Sequence, residues 1–397
     1  MGSALSAEGR GGEILGRGAR GNALVLSVRR LADLVAFCQQ YEFEDVIADV
    51  TRADRVYAEG RELLEFSRRA YRAGRLVTAS RRMARALAPN PRMVRLDRDY
   101  DLFFLVLNNP YELFALATLP EWRTRCRVGV CFFAELWAAQ RVPGYLLEIL
   151  SDFDHVFMGT GHVVADVRKS IGRPCHYLPL AADVLRFSPY PNPPVRAFDV
   201  CNIGRRSHVT HQAFLQLARE RRLAYYYDTV AASGPDQKQR TFRVSDPIEH
   251  RLLLASVLQR SRYFLANRSR VNEPDFTLGS DEISGRFYEG AAAGTVMLGE
   301  APRTKEFAAQ FDWPDAVIEL PFDSPEAGRL IGRLDQEPER LTQIRRANAY
   351  NAARRHDWVH RLRTIFEVAG LAPTAEMHAR EQRLRELADS VLEGPAG

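Results

Sequence analysis

SDEISGRFYEGAAAGTVMLGEAP, running from Ser280 to Pro302, sets the frame for the rest of the chain. It reads as helix, stop, buried strand and loop. Ser280 or Asp281 can cap the helix by accepting a backbone N–H hydrogen bond. Ile283, Phe287 and Tyr288 give it an apolar side, and Ala291 to Ala293 allow close packing. Gly294 supplies the stop, and Thr295 to Leu298 form a short apolar strand. Asp281 and Glu282 are thus expected at a helix head that opens onto a ligand cleft, with Glu289 about two turns further on. Free N–H groups and the dipole at a helix head favour an anion such as a pyrophosphate. Carboxylates beside it repel phosphate but can each hold a pair of sugar hydroxyls. Together these requirements describe a nucleotide-sugar site, with Glu289 as a cleft carboxylate that adds little to the core. A solvated helix face is the alternative for Glu289.

Working outward, apolar runs alternate with helical stretches on both sides. Before the motif, strands are expected at 22–28, EDVIADV (44–50), 101–109, 127–137 and 155–161, with a helix through Cys38 and a long Arg/Glu-rich helix stopping at Gly74. A second series begins at FDVCNIG (198–204) and continues through 224–230, 262–267, TVMLG and VIELP (317–321), followed by three helical stretches. Continuous apolar strands separated by helices predict α/β architecture, with parallel sheets covered on both faces. Between the series, Pro189, Pro191, Pro193 and Pro194 mark a linker at 187–196. The expected units are therefore a disordered stretch 1–21, a first domain 22–186, a second 197–373, and a closing helix 374–397 that returns to the first domain. A linker and a returning helix leave two crossings between domains, so the cleft width is expected to be set by a hinge. The G-x-G-x-x-G at 16–21 precedes an apolar run rather than following a strand, so it is rejected as a dinucleotide fingerprint.

The chain has 397 residues, 46% hydrophobic, and a net charge of +5; Lys169, Lys238 and Lys305 are its only lysines, so the basic charge is almost all Arg. No run of about 18 apolar residues exists to cross a bilayer. Five scattered cysteines without zinc spacing read as buried thiols in a reducing compartment, with the cytoplasm as default. No Arg run is interleaved with stacking aromatics, so nucleic acid is not expected as a partner. Attraction to an anionic membrane face, at the inner side of the membrane, stays open. Gly204, Arg205 and Arg206 follow the first strand of the second series, and Arg268 and Arg270 follow the strand ending at Asn267. Loops at carboxyl ends of parallel strands are where open α/β sheets bind ligands, and Arg grips phosphate in a forked geometry. His356 and His360 are four apart and could share a helix face, but Asp357 stands where a zinc H-E-x-x-H motif has Glu. Packing by Trp358, Leu362 and Ile365 is the preferred reading there.

Asp281-x7-Glu289 within GRFYEGAAAGTVMLG resembles the donor-site signature of GT-B-fold glycosyltransferases of the group 1 type, the nucleotide-sugar-dependent kind found in spore-coat and capsule synthesis. The usual pattern is Glu-x7-Glu; here Asp281 holds the first place, Glu282 follows it, and Thr295 replaces a Pro. Either acid could take the first role. YLPLAADVLRFSP (177–189) is similar to the bridge between the two Rossmann-like halves of that family, and RRHDWVHRLRTIFEVAG (354–370) to its tail. The resemblance implies a GT-B fold and transfer of a glycosyl group from a nucleotide-sugar, bound by the second half, to a glycan, lipid or small-molecule acceptor on the first.

It further implies that Glu289 holds ribose hydroxyls and that Asp281 or Glu282 contacts the transferred sugar. Gly204, Arg205, Arg206, Arg268, Ser284, Gly285 and Arg286 complete the donor set. Relatives carry a functional His after the fourth strand; the equivalent stretch here makes Glu135 the acceptor-side candidate, as hydroxyl ligand or base, with His162 second. The chain is read as lacking an Asp-x-Asp metal clamp, so no metal or other cofactor is expected and Arg would stabilise the leaving group, with retention of configuration. The alternatives are a non-catalytic sugar-binding protein on the same frame, or an inverting transferase or epimerase with a dedicated base.

Overall fold

A computed structural model of the chain describes residues 22–78, 80, 83–84, 93–140, 142–228 and 243–393. The G-x-G-x-x-G stretch and the segment expected to be disordered lie outside these residues.

The first domain is one six-stranded parallel sheet in the order β2-β1-β3-β4-β5-β6. Its strands are β1 (Ala23–Ser27), β2 (Asp54–Tyr57), β3 (Tyr100–Leu107), β4 (Cys126–Phe133), β5 (His155–Met158) and β6 (Cys175–Tyr177). Register is set by central apolar runs, with Leu102 to Leu107 opposite Val128 to Phe133. Both faces are buried, which is why β3 and β4 are almost wholly apolar. Helices α1 (Cys38–Thr51), α2 (Arg61–Thr78), α3 (Gly144–Leu150) and α4 (Val164–Ile171) cover it.

The second domain is a five-stranded parallel sheet in the order β11-β10-β9-β7-β8. It comprises β7 (Phe198–Asn202), β8 (Tyr225–Tyr227), β9 (Ser261–Leu265), β10 (Val296–Gly299) and β11 (Ile318–Glu319). Its helices are α5 (His208–Arg219), α6 (Pro247–Gln259), α7 (Gly285–Ala292), α8 (Lys305–Gln310), α9 (Ala327–Leu334), α10 (Pro338–Arg355), α11 (Trp358–Val368) and α12 (Ala375–Glu393). All five cysteines are buried and unpaired.

Three readings of the sequence are corrected. EDVIADV is helical: Phe43, Val46, Ile47 and Val50 recur at helical spacing and form one buried face of α1. The second strand is instead DRVY, a half-buried edge strand with little apolar signature. Gly74 sits inside α2 rather than ending it, and among the described residues four helices, not three, follow β11.

The join between domains is apolar as well as covalent. One continuous core cluster takes in Phe43 and Phe132 of the first domain, Leu258 and Phe287 of the second, and Trp358 of α11. Trp358 stacks on Phe43 with ring centroids 4.3 Å apart. Helix α12 is tied to α1 by Thr374 Oγ1, which donates to the Val50 carbonyl, and by the Arg52–Glu376 pair. Tyr190 of the linker packs with Ala349 of α10 and Val391 of α12. A broad apolar seam of this kind restrains relative motion more than the two chain crossings alone suggest.

Candidate active site

The carboxyl ends of both sheets face a common cleft, and the elements there come from both domains. Residues 280–284 form an extended approach to α7 rather than its first turn, so the helix head is at Ser284 and Gly285. Ser284 occupies the cap position, but its Oγ donates to the Asn267 carbonyl at 2.7 Å instead of accepting from the helix. The helix head is covered. A Cβ on Gly285 would lie 2.1 Å from the Gln39 Oε1 of α1, so glycine there permits the first domain to close over α7.

Of the two acids before the helix, Glu282 reaches across the cleft. Its Oε1 is 2.6 Å from His162 Nδ1 and accepts the His162 backbone N–H at 3.0 Å. The Ala138 N–H points at His162 Nε2 at 3.4 Å, which assigns the imidazole proton to Nδ1 and makes it the donor to Glu282. Asp281 turns the other way, pairing with Arg268 at 3.2 Å and accepting from the Arg303 N–H at 3.3 Å. Sequence spacing could not separate these two roles, because it carries no information on which side chain faces the other domain.

Glu135 lies on the loop after β4 and accepts from the Trp137 indole and, at 2.6 Å, from Arg270 Nε. Arg270 also donates to Glu273 at 2.6 Å, and Glu273 accepts from Arg205. The result is a chain of charge, Arg205–Glu273–Arg270–Glu135, from the end of β7 to the first domain. Burial pushes the Glu273 carboxyl up, but Arg205 and Arg270 outweigh it and hold it below the ordinary range. Arg270 stacks on Phe276 at 4.2 Å and holds a left-handed backbone (φ 54°). Such a conformation costs about 1–3 kcal/mol in a non-glycine residue and persists where surroundings over-determine it.

The remaining donor-side candidates surround the end of β7. Gly204 has φ 81°, which suits the turn, and its N–H donates to Asp228 Oδ2 at 3.2 Å. Arg206 binds Asp228, and Arg286 lies within 3.3 Å of where a Cβ on Gly204 would stand. A shallow pocket opens beside them, lined by Asn202, Arg205, Ser207, Thr210, Asn267 and Phe322 among others.

Glu289 is not a solvated cleft carboxylate. It is buried (3% exposed) and bonded through one oxygen to Arg251 and through the other to Arg286 Nη1 at 2.9 Å. Burial raises its carboxyl, but the two guanidiniums dominate and hold it at about 2. Arg251 Nε also donates to Glu42 of α1 at 2.8 Å, so the motif acid is linked through one guanidinium to the first domain. Arg251 was missed in the sequence. Its signal is a lone charge on the buried face of α6, in phase with Leu254, Ala255 and Leu258.

The two histidines of the tail do not share a helix face, since α10 ends at Arg355 and α11 starts at Trp358. His356 is buried against Tyr288, Phe311 and Trp313, while Asp357 caps α11 and binds Arg380. Asp-x-Asp spacing does occur, at Asp97–Asp99, Asp99–Asp101 and Asp152–Asp154, contrary to the reading above. These acids stand at the amino ends of β3 and β5, away from the cleft. Asp101 binds Asn22 and Arg127 there, and Asp154 binds Arg123 and the Gly129 N–H.

Residues 205–367, from the loop after β7 to the end of α11, match the glycosyl transferase-like family model. The HepE structure from Anabaena, solved with UDP and glucose, superposes with a TM-score of 0.51 at 11% identity, covering 88% of this chain and all of that one. The chain has the GT-B fold, and its second domain is similar to the glycosyl transferase-like family. An alpha-glucosyltransferase solved with UDP and a 13-mer DNA containing an HMU base also matches, with a TM-score of 0.48, 11% identity, and coverage of 89% and 100%. No curated protein matches the sequence. Among the described residues, no helix is long and apolar enough to cross a membrane.

Proposed function

We propose that the transferase moves a sugar from a nucleotide-sugar held by its second domain to a hydroxyl acceptor held by its first, without a metal and with retention of configuration. The observation that carries this reading is Glu282: an acid of the donor motif stands against His162 of the opposite domain, where a transferred sugar must meet its acceptor. The HepE neighbour, which shares the fold, was solved with UDP and glucose.

In this reading Glu282 holds hydroxyls of the transferred sugar and Glu135 an acceptor hydroxyl. Arg205, Arg206 and Arg268 now pair with Glu273, Asp228 and Asp281. Partly exposed pairs of this kind are worth at most about 1 kcal/mol, so a diphosphate can displace the carboxylates. Glu289 reaches the ribose once Arg286 shifts from it toward the diphosphate. Guanidiniums then stabilise the leaving group as charge develops, and its phosphate oxygen takes the acceptor proton. The His162–Glu282 pair favours a second reading, in which His162 is the base of an inverting reaction.

A thermal-shift panel of UDP, GDP, ADP and TDP sugars tests the donor assignment. A ligand at 100 times its dissociation constant should stabilise the protein by about 2.7 kcal/mol. Silence from every nucleotide would sink the reading, and binding without transfer would leave a non-catalytic sugar-binding protein. The anomer of the product, read by NMR, separates retention from inversion.

A further inference from the structure

The chain of charge from Arg205 to Glu135 is open at its ends and enclosed in its middle. The side chains of Arg205 and Glu135 are 42% and 40% exposed, against 19% and 20% for Glu273 and Arg270 between them. Glu273 divides its carboxylate between two guanidiniums. Its Oε1 accepts from Arg205, and its Oε2 accepts from Arg270 Nη1 at 2.6 Å. Arg270 is divided in turn, because its Nε donates to Glu135 Oε1 at 2.6 Å. That same Glu135 oxygen accepts the Trp137 indole N–H. The Arg270 guanidinium lies 4.2 Å from the Phe276 ring and 5.8 Å from Trp137, so both rings keep it at the junction of the two acids.

The position of Arg205 decides which acid keeps Arg270. With Arg205 on Glu273, two cations serve two acids and the chain is neutral. Once Arg205 turns to a diphosphate, one cation is left for two acids. A guanidinium binds best when both arms of its fork meet a single carboxylate. The more enclosed acid also loses more by going unpaired, since less water reaches it. Glu273 is the more enclosed, and the departure of Arg205 opens both its oxygens to the fork. Arg270 therefore goes to Glu273, and the exposed Glu135 is let go.

We propose that Glu273 is a positioning residue that couples the two halves of the site: a diphosphate that draws Arg205 away hands Arg270 to Glu273 and frees Glu135 for the acceptor. The roles of Arg205 and Glu135 rest on the glycosyl-transfer reading above, whereas the coupling rests on the shared guanidinium and carboxylate. Without a donor, Glu135 stays bound to Arg270 and holds no acceptor hydroxyl.

The test is calorimetric titration of the full chain with UDP, GDP, ADP and TDP, followed by variants with whichever binds. Glu273→Gln keeps the size of the side chain but removes the charge that competes for Arg205. It should tighten the diphosphate by up to about fivefold, the most that a partly exposed pair contributes. Weaker or unchanged binding would overturn the proposal. In an Arg205→Gln background the same change should have no effect, because the competition is already gone. A gain that persists there would show that Glu273 only repels the anion, and would overturn it too. Trp137 supplies a second readout, since its indole shares Glu135 with Arg270. Saturating diphosphate should shift the tryptophan emission of the wild type, with the Trp137 signal taken as the difference from Trp137→Phe. Glu273→Gln should lose that shift, because an uncharged side chain cannot draw Arg270 away. No Trp137 shift in the wild type, or one that survives in Glu273→Gln, would overturn the coupling. Silence from all four diphosphates would remove the donor reading and the coupling together, whereas binding without a gain in Glu273→Gln would remove the coupling alone.

Discussion

Two sets of charges cross from one domain to the other, and they are built differently. At the seam, Glu42, Arg251 and Glu289 are almost wholly buried, and Glu42 is further bonded to the Trp358 indole and the Asp183 N–H. Nearby, Arg380 binds Asp183 and Asp357 together. At the cleft mouth, Glu135, Arg270, Glu273 and Arg205 remain partly exposed. Every strong acceptor at the seam is saturated by protein, in a setting where losing one partner strands a buried charge. The mouth pairs are close in geometry but wet, so water or a ligand can replace either member at small cost. The seam therefore fixes how the domains meet, and substrate can exchange into the structure at the mouth and where the partly exposed Arg286 meets Glu289.

The largest effect should come from breaking the seam. Arg251→Met strands two buried carboxylates and should cost about 3–5 kcal/mol in denaturant unfolding. Glu289→Ala should also destabilise, because Arg251 and Arg286 lose a shared partner. A loss below about 1 kcal/mol for Arg251→Met would make the seam no different from a surface pair and collapse the comparison.

Glu44 sharpens it from the other side, as a carboxylate buried without full compensation. Ser27 Oγ donates to it at 2.6 Å, and Arg29 approaches only to 3.7 Å. Burial dominates and pushes its carboxyl up to about 8. Because the folded value lies above the unfolded one of 4.5, its contribution is fully present below about pH 4.5. It is lost as pH rises through about 8, a change on the order of 2–4 kcal/mol. Glu44→Gln should flatten that slope and leave the variant more stable than the wild type at pH 8.5. A wild-type curve that is flat between pH 5 and 8 would show that Arg29 compensates Glu44 as fully as Arg251 does Glu289.

At the mouth, Arg270→Ala should change stability by less than about 1 kcal/mol. It should lower kcat/KM by roughly tenfold or more, since a tenfold loss corresponds to only 1.4 kcal/mol of transition-state stabilisation. Lysine should rescue poorly, because an ammonium cannot bridge Glu135 and Glu273 in the forked geometry of a guanidinium. A variant that unfolds easily but keeps its kcat/KM would reverse the assignment of the two charge sets.

How much of this was legible in the sequence depended on what each feature rests on. The central strands of both sheets were, because β3, β4, β9 and β10 each carry an apolar run toward their carboxyl ends. EDVIADV misled because a short apolar run fits a buried helix face as well as a strand. DRVY and CHY, the two short edge strands of the first sheet, carry too few apolar residues to announce themselves. The donor motif was found by its residues, but its helix head was placed too early, since Ser280 and Asp281 looked like caps and Ser284 did not. The partners of the motif acids were beyond reach: Arg251 and Glu42 are separated by 209 positions and His162 and Glu282 by 120. Only the tertiary fold brings them together.

The smallest expected effect is also the one that divides the two mechanisms. His162 holds Glu282 through Nδ1–H, a bond that a Gln side-chain amide can reproduce without titrating. If the pair only positions the transferred sugar, His162→Gln should keep kcat within a few-fold, and His162→Ala should lose about tenfold by freeing Glu282. The pH profile should be the same for Gln and wild type, as no proton passes through the ring. If His162 instead removes the acceptor proton, both variants should fall by about 10²–10⁴ and the rise of rate with pH should vanish in each. The Gln variant thus carries the distinction, because it preserves the geometry across the cleft while deleting the base. Near-normal transfer by it would leave the diphosphate oxygen as the acceptor of the proton and His162 as the residue that holds Glu282 in place.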